Sequence, residues 1–270
     1  MISTKPAAVH DGAALSPGRT GVQMSATRRI ALVTGILMLI TFITSIPAQL
    51  IFYHPLLTDT AKFILGGGSD TAVQLGALSE VLLVIANVGT AVVLYPIVKR
   101  QNEIVALGFV MERVLESVAI MVGFFSLLAA VTLRQDAVGA GGATAAALVT
   151  AGKALVAVHD WTFLLGPGFL DGLGTGLLLG YLMYKSGLMP KGLALLGLIG
   201  GPLLMASGIA VLFGVFDAGS AGQFIATIPE ILWELSVGIY LTVKGFKPSP
   251  ITSGQTQPQP PPHMNVLRVE

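Results

Sequence analysis

Apolar positions along this chain gather into long, nearly unbroken runs, without the alternation of a half-buried strand or the narrow stripe of a soluble helix. The runs cover 30–52, 75–98, 104–133, 161–184, 192–216 and 224–243. Each is long enough to cross a hydrocarbon core of about 30 Å at about 1.5 Å per residue. Arg28 and Arg29 before the first run imitate a signal peptide. That run far exceeds the about 7–15 residues of a signal core, so it reads as a retained span. The stretch 143–158 is shorter and carries Lys153 in its middle. That pattern predicts a segment lying at the outer interface. The fold class is therefore all-α, a polytopic transmembrane bundle of about six spans.

The ends differ from the middle. Residues 1–27 are polar and rich in small side chains, and 248–262 is rich in Pro and Gln. Both read as disordered arms, leaving 28–246 as the membrane domain and 247–270 as a tail. Orientation follows from the basic residues. Lys5, Arg19, Arg28, Arg29, Lys99, Arg100, Lys185, Lys191, Lys244, Lys247 and Arg268 fall on the side of the N-terminus, and only Lys62, Arg134 and Lys153 on the other. That asymmetry places both termini in the cytoplasm.

Composition agrees. Charged residues are 11% of the chain and hydrophobic ones 53%. An average soluble domain has about 25% charged residues. A net charge of +1 with scattered basic residues gives no nucleic-acid surface. The chain has no cysteine, which removes disulfides, thiolate metal sites and a cysteine nucleophile. His159 has no second histidine at ligand spacing, so neither a metal nor a cofactor is expected.

Gly168, Gly172, Gly176 and Gly180 recur every four residues, and Gly197 and Gly201 repeat the spacing. Such ridges let helices approach closely, either within one bundle or across a homodimer. Gly172, Gly174 and Gly176 do not form a nucleotide loop, since no strand precedes them. The glycine-rich stretch 66–70 reads as a flexible connection.

The chemistry lies in ionisable residues inside the runs: Glu80, Glu112, Arg113, Glu116, Asp171, Glu230 and Glu234. A charge at the bilayer centre costs about 2.5–3.5 kcal/mol on insertion scales, so these groups should face the interior. By their spacing Glu112 and Glu116 share a helical face, as do Glu230 and Glu234, and Glu80 and Asn87. One arginine cannot neutralise six carboxylates; the remainder need protons, water or a cation. Glu112, Arg113 and Glu116 read as a structural ion-pair knot. Glu80, Asn87, His159, Asp160, Asp171, Glu230 and Glu234 read as the lining of an outward-opening polar cavity or relay. For Asp160 an interfacial helix cap beside Trp161 stands as the alternative. Pro47, Pro96, Pro167 and Pro229 should bend or end helices.

Four stretches carry a resemblance: 86–103 (ANVGTAVVLYPIVKRQNE), 159–168 (HDWTFLLGPG), 200–214 (GGPLLMASGIAVLFG) and 227–241 (TIPEILWELSVGIYL). Together they resemble a bacterial membrane family, the domain of unknown function numbered 4386, over about 28–246. The resemblance implies an integral bundle in the bacterial inner membrane and supplies no catalytic residues. Three functions stay open. They are a small proton- or cation-coupled carrier of unknown solute, a non-catalytic protein binding a partner or lipid, and a membrane-embedded hydrolase built on His159, Asp160, Glu80 and Glu230.

Overall fold

The structure, a computed structural model, describes residues 24–253. The reading of 1–27 and 247–270 as disordered arms falls largely outside those residues. Among the described residues there is no strand, and six helical segments are long and apolar enough to cross a membrane. These are Ala26–Phe52, Asp70–Val98, Glu103–Asp136, Gly142–Ser186, Lys191–Leu212 and Ala221–Val243, here the first to sixth spans. Two short helices, His54–Thr58 and Thr60–Ile64, link the first two.

Each span packs on its neighbour in chain order, and the sixth returns to the first, so the bundle closes as a ring. Apolar side chains on its outside, among them Ile43, Leu82, Ile85, Leu115 and Ile225, stay exposed. Patches of this kind in a six-span chain mark a multi-pass membrane protein.

Inside, two apolar clusters stack along the ring axis. One holds Met38, Leu94, Phe109, Leu182, Trp233 and Leu241 at the end where the described chain starts and finishes. The other holds Tyr53, Phe63, Leu83, Phe124, Leu127 and Val156 at the far end. Between them the second, third and fourth spans each bring buried polar residues: Asn87, then Glu112, Arg113, Glu116 and Ser117, then Asp171 and Thr175.

Both ends are tied. Arg28 donates to the carbonyls of Leu241 at 3.0 Å and Thr242 at 2.7 Å. It thereby meets the open carbonyl end of the sixth span. The chain stays packed beyond residue 246. The backbone N–H of Lys247 donates to Leu188 O, and Ser249 Oγ to Ser186 O at 2.5 Å. At the far end the glycine-rich connection is pinned. Gly66 and Gly68 take positive φ, a conformation that glycine adopts without steric cost. Arg134 donates to both of their carbonyls while pairing with Asp70 at 2.7 Å.

The fourth span differs from the sequence reading. Residues 143–158 continue it as one helix from Gly142, so no separate interfacial segment precedes it. The Ala-rich stretch has no helix breaker, and Lys153 lies on the exposed face, where it costs nothing to the packing. The cap of that helix is Gly141, and Asp160 lies inside the helix. Among the described residues three π-helical turns interrupt the spans, at Ala48–Phe52 after Pro47, at Gly166–Leu170 around Pro167, and at Gly172–Leu179. A proline lacks the N–H that an α-turn needs, and the wider turn accommodates it.

Candidate functional site

Buried polar residues gather in two groups. The larger centres on Arg113, which is 2% exposed. Its guanidinium pairs with Glu116 at 2.8 Å, one turn along its own helix, and with Asp171 of the fourth span at 2.6 Å. It also donates to Thr175 Oγ1 at 2.8 Å and to Asn87 Oδ1 of the second span. Asn87 in turn donates to Glu116 at 3.0 Å. Three spans are thereby fastened to one side chain. The fork of an arginine suits this, because its donors point in fixed directions at several acceptors.

Three more carboxyls surround that knot. Glu234 of the sixth span lies against Asp171. Glu112, 3% exposed, and Glu230, 1% exposed, each bury both carboxyl oxygens with no hydrogen-bond partner. Arg113 Nε is also buried and unpaired. Electrostatic interactions link Glu230 with Asp171, Glu234, Arg113 and Glu112. With Glu116, five acids surround one base. Leaving such groups unsatisfied costs about 1–3 kcal/mol each, more when charged.

Glycines make room for them. A methyl on Gly174 would collide with the Glu112 carboxylate, and one on Gly176 or Gly200 would press on Glu230. Gly172, Gly176 and Gly180 of the fourth span meet the fifth span at Gly201, Leu198 and Gly197, while Gly197 receives the indole of Trp233. Gly168 faces its own preceding turn, and its carbonyl instead receives Gly208. Trp233 is fully buried and donates to Thr175 O at 2.8 Å, a carbonyl in the π-helical turn.

The smaller group lies in the far half. Glu80 accepts from Gln49 Nε2 at 2.9 Å and from Tyr53 Oη at 3.1 Å. Gln49 Nε2 also faces His159 Nε2 at 3.4 Å, and His159 Nδ1 lies 3.3 Å from Asp160 Oδ1. The ring of Tyr53 meets the imidazole edge-on and Phe163 stacks on it. Burial and the neighbouring Glu80 push the Tyr53 phenol up, so it remains a donor. Asp160 has 63% of its side chain exposed.

The structure thus divides the residues that the sequence grouped into one cavity lining. Glu80, His159 and Asp160 meet in the far half. Asn87, Asp171, Glu230 and Glu234 gather around Arg113, together with Glu112 and Glu116. Sequence reasoning missed Gln49, Tyr53, Gly174 and Thr175. Two signals were present: Gln49 is the amide that follows Pro47 with Tyr53 one turn on, and Thr175 falls four residues after Asp171. No three His, Asp or Glu side chains among the described residues are placed to share a metal ion.

The model of one protein family, described as Domain of unknown function (DUF4386), matches residues 33–245, and the chain belongs to that family. No curated protein and no solved structure matches the chain.

Proposed function

We propose that this member of the family is a small proton- or cation-coupled carrier of the bacterial inner membrane, its coupling site the carboxyl layer around Arg113. The observation that carries the reading is the pair Glu112 and Glu230. Both are buried, and both lack a partner for either oxygen. An ionic cluster serving packing alone would satisfy its members, since an unpaired buried charge destabilises strongly. Acids held without partners beside an arginine are groups that can take up and give back a proton. The glycines at 174, 176 and 200 let those carboxyls lie directly against the fourth and fifth spans, where a methyl would collide with them.

The four partners held by Arg113 favour a second reading, in which the layer only fastens helices for a protein that binds lipid or a partner. One experiment separates the two. Purified protein in liposomes loaded with a pH-sensitive dye is given outward and inward gradients of small cations and organic solutes. Glu230→Gln and Glu112→Gln run alongside. A carrier moves protons in the wild type and stops in both variants while their melting temperatures hold. A fastening layer moves none in any sample.

A further inference from the structure

The group around His159 has a feature that the carrier reading does not use. Gln49 Nε2 offers only donors, and its hydrogen bond to the Glu80 carboxylate fixes which way the amide points. The imidazole Nε2 facing it at 3.4 Å must therefore be bare. The proton of the neutral ring then sits on Nδ1, directed at Asp160 Oδ1 at 3.3 Å. The contact between the first and fourth spans thus depends on which ring nitrogen carries a proton.

We propose that Gln49, Glu80 and His159 form a proton-operated latch joining the first, second and fourth spans. With a second proton on the ring, Nε2 becomes a donor facing a donor. The amide then leaves, and the imidazolium draws the Glu80 carboxylate that Gln49 had held. The titratable groups around the ring are Glu80 from the second span, Tyr53 after the first, and Asp160 beside it; the third span presents Gly123. His159 is buried, whereas Asp160 beside it has most of its side chain exposed.

Gln49 stands in the π-helical turn Ala48–Phe52. Wide turns of this kind are short interruptions that recur at functional sites, so release of the side chain can change the local backbone. The latch does not require that the protein transport anything.

The test pairs two measurements on the full chain in lipid nanodiscs, from about pH 8 to about pH 5. Imidazole ¹⁵N resonances, assigned by comparison with His159→Gln, report the tautomer. Amide hydrogen exchange reports opening of 48–53. The latch gives a ring protonated on Nδ1 at the high end. Exchange at 48–53 then rises several-fold as Nε2 gains its proton, with the same response in Glu230→Gln, whose substitution touches only the carrier site. His159→Gln loses that pH response. A ring protonated on Nε2 at the high end, or a doubly protonated ring with unchanged exchange at 48–53, would overturn the latch. Should His159→Gln not fold, the wild-type tautomer and exchange profile decide alone.

Discussion

Two polar groups share the inside of one bundle, yet they are satisfied in opposite ways. Around His159 both oxygens of Glu80 have donors, from Gln49 and Tyr53, and both nitrogens of the ring have neighbours. Around Arg113 the acceptors outnumber the donors: Glu116 and Asp171 are held, while Glu112 and Glu230 are not. The first arrangement changes when a proton rearranges existing bonds. The second has room for a proton where no bond exists. Burial alone therefore does not identify what an intramembrane acid does; its list of partners does.

Substitutions probe that contrast. Arg113→Met should have the largest effect, because it strands Glu116 and Asp171 together, with a loss of about 3–5 kcal/mol read from thermal melting in detergent. Gly174→Ala follows, at about 1–3 kcal/mol from overpacking against Glu112. Adding Glu112→Ala to that variant should recover most of the loss; an unrecovered loss would mean that Gly174 serves helix packing elsewhere. Tyr53→Phe leaves one oxygen of Glu80 without a donor and should cost about 1–2 kcal/mol. Glu230→Gln has no hydrogen bond to lose, and should cost less than Tyr53→Phe, under about 1 kcal/mol. Equal costs for Tyr53→Phe and Glu230→Gln would erase the distinction between the two groups.

Much of this was legible in the chain. Six spans followed from the apolar runs, and the acids that meet Arg113 share faces at four-residue spacing, as Glu112 and Glu116 do. Gly174 and Gly176, two residues apart, point to nearly opposite sides of the fourth span at about 100° per residue, one toward Glu112 and the other toward the fifth span and Glu230. A glycine has no side-chain chemistry that singles it out as part of a site, and Gly174 escaped notice for that reason. Gln49 and Tyr53 escaped notice for another reason: neither carries a charge whose burial in lipid demands an explanation. At the fourth span, Lys153 made 143–158 read as a segment lying at the outer interface. A long amphipathic side chain on an exposed face can carry its charge toward water without ending the helix.

The most direct test needs no knowledge of the solute. Protein adsorbed on a solid-supported membrane is subjected to rapid pH jumps, and the charge displaced is recorded. A coupling site in the Arg113 layer gives a transient current in the wild type, lost in Glu112→Gln/Glu230→Gln with melting temperature retained. A current of equal size in that double variant, or none in the wild type, would contradict a coupling site there.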